Sequence, residues 1–303
     1  MKIIKYTKIY LLISLLVLIP GVISLATYGL NLDIDFTGGS VFEYEFSGEI
    51  EDRGAVTNTL VDVFTQKEIE VKNITFDGNT KALVKTRPVE VASNEDIKTA
   101  VAEKLSGASQ VSFETVGPSI GMETTKKSFF ALAVASLGIL LYIAYAFRNI
   151  PKPYSSFKFG ATAILAMLHD AFVVLGTFSI LGYFFNIEID ALFITAILTV
   201  IGFSVHDTIV VFDRIRENLK KLPGSWGFPE IVDYSLVETL NRSLATSLTV
   251  VVVLLSLYLL GGGSIKNFTL ALLIGIVSGT YSSIFNAAPV LVLWEQRRLH
   301  RKR

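Results

Sequence analysis

Long apolar runs separated by polar segments dominate the chain. Six of these runs have the length that a helix needs to cross the hydrocarbon core of a membrane, roughly 20 residues. They occupy residues 9–30, 129–147, 159–185, 191–212, 244–262 and 268–294. The pattern predicts a polytopic α-helical membrane protein with six transmembrane helices.

A polar segment of the size of a small domain separates the first two runs, at residues 31–127. The spacing of its apolar residues predicts strands at 40–46, 71–76, 81–87 and 110–116, and helices at 51–66 and 94–105. Ser93 can cap the second helix, with Asp96 in position for a capping box. Because the order βαββαβ is typical of a ferredoxin-like fold, we expect a ferredoxin-like α+β extracytoplasmic domain between the first and second spans.

Glycine-rich segments flank this predicted domain. Gly38 and Gly39 belong to DFTGGS, and Gly117 and Gly121 belong to VGPSIG. We expect these segments to connect the domain to the spans, either as hinges with a role in gating or as turns without further function.

Lysine and arginine are concentrated in every second loop. The segments before the first run, between the second and third, between the fourth and fifth, and after the sixth carry more than half of the 27 basic residues. Since basic loops stay in the cytoplasm, we expect both termini there. Three parts follow: a tail with the first helix (1–30), the extracytoplasmic domain (31–127), and helices two to six with a basic tail (128–303). No small-x-small cleavage triplet follows the first run, which we interpret as an uncleaved span.

Composition and motifs narrow the functional classes. Only 18% of the residues are charged, whereas soluble domains carry about 25%. Disulfide and thiol chemistry are excluded because the chain has no cysteine. The stretch GGGSIKN (261–267) lacks the Gly-Lys-Ser/Thr of a phosphate loop, and no helical His pair has zinc-site spacing. We therefore expect no enzymatic activity, cofactor, metal or nucleic-acid partner, and an energy source in the transmembrane gradient, about 2.3 kcal/mol per charge per 100 mV.

Ionisable residues inside the predicted spans are the main functional candidates. An ionised group at the centre of a membrane helix costs about 2.5–3.5 kcal/mol on insertion scales, so such groups are usually functional. The sites are His169-Asp170 in the third span, His206-Asp207 in the fourth and Arg242 at the start of the fifth. Each aspartate is a proton-carrier candidate, with a buried packing role as the alternative. Arg242 is equally consistent with a topology-setting charge, and packing is the more common role for the two histidines.

Small polar residues and glycines accompany these groups. Ser204, Asp207 and Thr208 share a helix face by i, i+3, i+4 spacing, whereas His206 is turned about 100° away from that face. In the sixth span, Gly275 and Gly279 have the small-xxx-small spacing that permits close helix packing. Ser282 and Asn286 follow them. Polar stripes on several helices predict a common polar interior or a water-filled path.

The motifs resemble the SecF branch of the SecD/SecF family of bacterial export proteins. The fourth span reads GFSVHDTIVVFDRIRE where the family pattern has Gly-Tyr-Ser-Ile-Asn-Asp-Thr-Val-Val-Val-Phe-Asp-Arg-Ile-Arg-Glu. Further similar motifs occur in the family's order and extend over nearly the whole chain: GLNLDIDFTGGS, TVGPSIGME, HDAFVVLG, TLNRSLATSLT and GTYSSIFNAAP.

This resemblance implies half of an RND-type bundle, located in the bacterial plasma membrane and working with SecD. The implied function is to use the proton motive force to complete translocation of an unfolded polypeptide through the SecYEG channel. Asp207 matches the family's fourth-span aspartate in the proton path, Arg242 the fifth-span arginine that interacts with it, and Asp170 the third-span His-Asp. Thr208 joins this predicted path. His206 also joins this path and stands where the family usually has Asn, either as a further titratable group beside Asp207 or with the hydrogen bonds that Asn would make.

Two alternatives remain at this stage. An RND-like pump for a small solute or lipid would need a deep apolar pocket between large outer subdomains, for which roughly 95 residues leave little room. A non-transporting assembly factor of the translocon would tolerate replacement of Asp207, but not loss of the chain.

Overall fold

The computed structural model describes residues 2–223 and 225–300, which form two compact units. One unit contains the residues up to Asn31 together with those from Phe130 onward, and the other is Leu32–Phe129. Helices and strands are numbered below in chain order.

The first unit is helical. Its helices are α1 (Thr7–Tyr28), α5 (Pro118–Ala146, which begins in the other unit), α6 (Ser156–Phe185), α7 (Ala191–Lys221), α8 (Phe228–Leu260), α9 (Gly263–Ser282) and α10 (Ala288–His300). A π-helical segment, Ser283–Ala287, joins α9 to α10. Among the described residues, six helical spans are long and apolar enough to cross a membrane, in agreement with the six predicted runs.

Helices α7 and α8 extend well beyond the apolar runs that predicted them. α7 continues to Lys221, and α8 begins at Phe228, although the runs end at 212 and begin at 244. Polar contacts hold the two extensions together: the amide of Asn218 donates to Ser235 Oγ at 2.9 Å. Hydropathy locates only the membrane-crossing part of a helix, so the prediction of short spans was wrong at these ends.

The centre of this unit is formed by α6, α7 and α9, the spans whose side chains are most buried. Close backbone approach brings them together. A Cβ atom at Gly275 of α9 would overlap the side chain of Val200 on α7. α1 crosses α6 equally closely, since a Cβ atom at Gly176 would lie 2.5 Å from Gly21 Cα. Such glycine contacts allow dense packing without the hydrophobic driving force that water would provide.

The second unit is an α+β domain. Its elements are α2 (Ile34–Thr37), β1 (Gly39–Phe46), α3 (Arg53–Gln66), β2 (Val71–Asp77), β3 (Lys81–Thr86), α4 (Asn94–Lys104) and β4 (Ala108–Val116). The sheet has the strand order β2-β3-β1-β4 and is antiparallel at each pairing. Phe42 of β1 lies opposite Val84 of β3 and Phe113 of β4. Alternate strand residues and the helices α3 and α4 form one apolar core: Phe42, Tyr44, Leu60, Val63, Phe64, Ala82, Val84, Val89, Ile97 and Val101.

Two local predictions in this domain need correction. Ser93 does not cap α4 with its side chain, because a 3-10 turn (Val91–Ser93) precedes the helix and already places Ser93 in a helical conformation. α3 begins at Arg53 rather than at 51, since the Asp52 carboxylate accepts the backbone N–H of Ala55 at 3.0 Å and caps the helix there.

The flanking glycines pack against one another within this domain. Gly38 has a φ of +73°, and a Cβ atom on it would lie 3.0 Å from Pro118 Cα. A Cβ atom on Gly121 would lie 2.9 Å from the Gly38 nitrogen. Gly39 is similarly crowded, by Thr86 O at 2.9 Å, whereas Gly117 has room for a side chain. The start of α5 and the segment after α2 therefore form a tight junction, and the hinge role stays a prediction.

Candidate functional site

Asp170 lies at the centre of a buried hydrogen-bond network between α6, α7 and α9. Its side chain is fully buried. Oδ2 accepts hydrogen bonds from Ser204 Oγ at 2.5 Å and Ser282 Oγ at 2.6 Å. Oδ1 accepts one from Ser278 Oγ at 2.7 Å and lies 3.0 Å from His169 Nδ1. Three serine hydroxyls therefore donate to this carboxylate inside a membrane helix bundle, and the imidazole of His169 lies within hydrogen-bond distance of it.

The helix spacing explains why these serines converge. Ser278 and Ser282 are four residues apart on α9 and therefore share one face. Gly279 lies between them, and a Cβ atom on it would be 3.3 Å from Ser204 Cα and 3.6 Å from Asp170 Oδ2. The missing side chain lets α9 approach α7 closely enough for its serine hydroxyls to reach the aspartate.

Thr208 extends the network one turn along α7. Its hydroxyl donates to the Ser204 carbonyl at 3.0 Å and lies 3.0 Å from Ser283 Oγ. Ser283 begins the π-helical segment, and such segments are frequent at functional sites. Ser282 and Ser283, adjacent in the sequence, are both buried and contact Asp170 and Thr208 respectively.

Asp207 is buried without comparable partners. Its exposed fraction is 4%, and in the described part of the chain Oδ2 has no hydrogen-bond partner. The residue follows Ser204 by one helical turn. Buried carboxylates are normally paired or hydrogen-bonded, so an isolated one is costly when ionised. At Asp207, therefore, the described residues leave one carboxylate oxygen without a hydrogen-bond donor.

Arg242 and His206 lie outside this interior. Both are exposed, whereas Thr239, Ser243 and Ser247, which precede and follow Arg242 on α8, are buried. Over the residues that the structure describes, Arg242 forms no ion pair with Asp207 or any other carboxylate. The structure therefore brings Asp170, Thr208 and the Gly279 face together, and it leaves His206 exposed on α7 and Arg242 exposed on α8.

Several contributors were not identified as site residues from the sequence. Ser278, Ser204 and Ser283 complete the network, and their signal was the spacing of serines on the faces that carry Gly279 and Asp207. A second group lies at the polar ends of α7 and α8, where Arg214 donates to both carboxylate oxygens of Glu238 at 2.7 Å. That pair joins two helices.

A third contact ties the ends of α6 and α10 together. Lys158 Nζ is 3.2 Å from Glu295 Oε2 and donates to the Trp294 carbonyl at 2.9 Å, and both charged side chains are nearly buried. Within the described ranges, no group of three or more His, Asp and Glu residues is arranged to hold a metal ion.

Comparison with known proteins identifies the family. Residues 96–297 match the model of the protein export membrane protein SecD/SecF, C-terminal, and residues 23–49 match the SecD/SecF GG motif. The protein translocase subunit SecF of Thermobaculum terrenum is 49% identical, over 97% of this chain and 94% of the relative. The corresponding SecF of Anaerolinea thermophila is 40% identical, with 95% and 92% covered.

Longer relatives contain this chain as one part. The protein translocase subunit SecDF of Bacillus subtilis is 36% identical over 96% of this chain, which spans 38% of that protein. The crystal structure of SecDF, a translocon-associated membrane protein from Thermus thermophilus, superposes with a TM-score of 0.81 at 32% identity. It covers 98% of this chain, which spans 39% of the SecDF chain. With its six spans, this chain is a multi-pass membrane protein of the bacterial plasma membrane, and it belongs to the SecD/SecF family of protein translocase subunits.

Proposed function

We propose that the chain is the SecF half of a SecD–SecF unit that uses the proton motive force to complete polypeptide translocation through the SecYEG channel. Relatives in which SecD and SecF form one chain support SecD as the partner. The observation that carries the proton-driven function is Asp207, a buried carboxylate in a membrane span whose Oδ2 has no hydrogen-bond partner among the described residues.

Asp207 exchanges protons because its two protonation states differ strongly in cost. An ionised carboxylate without donors is unfavourable in the bundle, and protonation removes the charge. His206, adjacent in the sequence, is the titratable neighbour on α7 itself. A proton that enters from one side of the membrane and leaves to the other changes the charge of the bundle twice per cycle.

We assign the exposed surfaces around Arg242 on α8 and His206 on α7 to contact with SecD. Arg242, Thr246 and Thr249 are exposed on α8, although apolar residues follow along the same helix. α5 also has few buried side chains within this chain. Spans of SecD that pack against these helices would cover their exposed side chains. In this proposal Arg242 acts on the proton path through the assembled complex.

We infer that the α+β domain is ferredoxin-like and follows the movement of the bundle. The inference is supported by the element order βαββαβ and by the strand order β2-β3-β1-β4. α5 is one continuous helix from Pro118 to Ala146. Since its first turn packs on Gly38, a tilt of α5 would carry the domain along, so the flanking glycines act as a tight coupling.

The test compares Asp207→Asn with Asp213→Asn, a control at an exposed carboxylate of the same helix. Gradient-dependent export is measured in membrane vesicles that contain SecD and the channel, and assembly is measured by copurification with the tagged chain. We expect Asp207→Asn to reduce the gradient-dependent rate by about 100-fold or more, the scale of a general acid–base group, with assembly intact. Normal export by the assembled variant would refute the proton role, and absence of SecD from the purified chain would refute the partnership.

The proposed cytoplasmic location of both termini can be tested separately. The chain has no cysteine, so a single cysteine at Lys2 can be labelled without background. A membrane-impermeant thiol reagent should label Lys2→Cys only in inside-out vesicles. A matched Asp62→Cys in the α+β domain should react only in vesicles of the opposite orientation.

A further inference from the structure

A cleft beside the first half of α1 lies between that helix, α6 and the start of α10, and has a volume of about 330 Å³. Two leucines of its wall, Leu15 and Leu165, are about half exposed, at 49% and 53%. Along α1 the cleft extends from Leu11 to Leu18, which is about 10 Å at the helical rise per residue. It therefore fits within one leaflet of a hydrocarbon core about 30 Å thick.

The wall of this cleft is almost wholly apolar. His169 and Asn286 contribute to it, but the atoms of theirs that lack a hydrogen-bond partner among the described residues, Nε2 and Oδ1, are buried. An occupant of the cleft therefore meets mainly carbon atoms. A hydrocarbon chain suits such a wall, because it brings no polar group that would lose its hydrogen bonds there.

Basic residues continue the walls of the cleft towards the beginning of α1. On α1, Lys8 precedes Leu11 by three residues, a spacing that places both on one side of the helix. On α10, Trp294 and Arg297 follow Val290 by four and seven residues, so they share its face. Lys8 and Arg297 are exposed, and neither forms an ion pair with a described residue. This end of the cleft therefore offers two positive charges to a ligand.

The acidic residue of α10, Glu295, is already paired. Its side chain is buried, and Oε2 lies 3.2 Å from Lys158 Nζ of α6. Lys158 also donates to the Trp294 carbonyl at 2.9 Å, and its Nζ lies over the Trp294 ring. These contacts hold α6 against α10 where the cleft meets the polar surface, and they leave the charges of Lys8 and Arg297 available.

We propose that the cleft binds an anionic phospholipid, with one acyl chain along the apolar wall and the phosphate headgroup beside Lys8 and Arg297. Basic residues at the end of a cleft between spans attract an anionic headgroup. Tryptophan is enriched at the headgroup level of membranes, which is the position that Trp294 would occupy. A zwitterionic lipid fits the apolar wall equally well, but it gains less from the two positive charges. The ligand is therefore selected by its headgroup.

Tryptophan fluorescence measures which lipid lies at this end of the cleft. The chain has two tryptophans, so Trp226→Phe leaves Trp294 as the single reporter. The full chain is reconstituted into mixtures of phosphatidylcholine and phosphatidylglycerol, one of which carries brominated acyl chains that quench nearby tryptophans. Quenching as a function of composition gives the relative binding constant of the two lipids. We expect phosphatidylglycerol to bind more tightly, with about a fivefold contribution from each basic residue.

Charge variants distinguish a site from a general effect of surface charge. Lys8→Gln and Arg297→Gln should each lower the preference for phosphatidylglycerol about fivefold. The matched control is Arg148→Gln, which removes one positive charge just after α5. Arg148 does not line the cleft, and its guanidinium lies over the Tyr145 ring at 3.7 Å. This control should leave the preference unchanged.

A tryptophan in the wall of the cleft tests whether the acyl chain and the headgroup belong to one lipid. Leu165→Trp, in a chain whose two native tryptophans are replaced by phenylalanine, reports from the wall itself. Its preference for phosphatidylglycerol should also fall about fivefold in Arg297→Gln, although Arg297 lies at the other end of the lipid. If Leu165→Trp does not fold, the Trp294 measurements decide alone.

Equal binding constants for the two lipids at Trp294 would overturn the proposal. Equal losses in Arg297→Gln and Arg148→Gln would overturn it as well, because they would show a general surface-charge effect. Absence of quenching by either lipid at Leu165→Trp would mean that no acyl chain enters the cleft. These measurements need neither SecD nor a client polypeptide, so their outcome is independent of the proposed function.

Discussion

The same dipeptide, His-Asp, occurs in the middle of α6 and of α7 with opposite surroundings. In α6, Asp170 accepts hydrogen bonds from three serines and lies beside His169. In α7, Asp207 is also buried, yet its Oδ2 has no partner among the described residues and His206 is exposed. Burial is nearly equal at the two aspartates, so the difference lies in the partners that neighbouring helices supply.

This difference supports a structural role for Asp170 and, in the proposed function, a proton-carrying role for Asp207. The donors around Asp170 stabilise its ionised form and join three helices through one side chain. Asp207 gains nothing comparable from its neighbours, so its charge is the one the protein can add or remove at low structural cost. The role of an intramembrane aspartate therefore follows from the hydrogen-bond donors around it rather than from its depth in the membrane.

Removal of each carboxylate should give the largest contrast. Asp170→Ala leaves three serine hydroxyls and the imidazole without their acceptor, and we expect a loss of about 3 to 5 kcal/mol in the free energy of unfolding. Asp207→Ala removes an unpartnered group and should stay within about 1 kcal/mol of the wild type. Reversible unfolding of the full chain in mixed micelles measures both. Equal losses would contradict the distinction between the two sites.

Displacement of α9 from α7 should weaken the packing that brings the α9 serines to Asp170. In Gly275→Ala the new methyl group would overlap Val200, and the resulting shift should cost about 1 to 3 kcal/mol. The control Gly202→Ala has no atom within 4 Å of its new Cβ and should be neutral or stabilising by up to about 1 kcal/mol. Val200→Ala in the Gly275→Ala background should restore part of the loss. No rescue would mean that this contact does not determine the packing of α9.

Deletion of a single serine hydroxyl measures how much one donor to Asp170 contributes to stability. Ser282→Ala removes one hydrogen bond to the carboxylate, which should cost about 1.5 to 3 kcal/mol, the range for bonds to charged groups. Ser256→Ala is the matched control, because that exposed hydroxyl contacts only its own helix carbonyl, and should be near neutral. A double-mutant cycle with Asp170→Ala should give a coupling above about 0.5 kcal/mol. Strict additivity would show that the serine and the aspartate do not interact.

The smallest expected effect is at Tyr44, a buried polar group without a hydrogen-bond partner in the described part of the α+β domain. Its hydroxyl is buried in the α+β core without a partner among the described residues, and burial raises the pKa of Tyr44 above its ordinary value. Tyr44→Phe should stabilise β1 by about 1 kcal/mol, measured by hydrogen exchange in the full chain. The unfolded tyrosine ionises near pH 10 while the folded one stays neutral, so the wild type loses stability above that pH and the variant does not. A pH-independent difference would contradict this.

The sequence predicted the elements of the fold more accurately than their ends. All six spans and the four strands were found because each follows a clear apolar period. The ends of α7 and α8 were missed since polar pairs such as Arg214 with Glu238 carry no hydropathy signal. Similarly, the Ser93 cap was wrong because cap geometry depends on the preceding backbone turn.

For the candidate site, too, the sequence predicted some features and not others. Residue type and depth singled out Asp170, Asp207 and the Gly275–Gly279 face from the sequence alone. Which aspartate is surrounded by donors could not be predicted, because Ser204 and Ser282 come from helices 34 and 112 positions away from Asp170. Whether Arg242 lies inside or outside the bundle could not be predicted either, since an arginine near the end of a span can adopt both orientations.

The sequence by itself therefore determined the membrane class, the number of spans, the inserted α+β domain and the pair of buried acids. These features follow from local periodicity and from the cost of charge in hydrocarbon, and both can be evaluated from one segment of the chain without its neighbours. Tertiary structure alone decided that three serines donate to Asp170 and that Asp207 Oδ2 has no partner among the described residues. Hydrogen-bond partners, interatomic distances and accessibility depend on how helices from distant parts of the chain pack together. In this bundle, glycines allow that close packing.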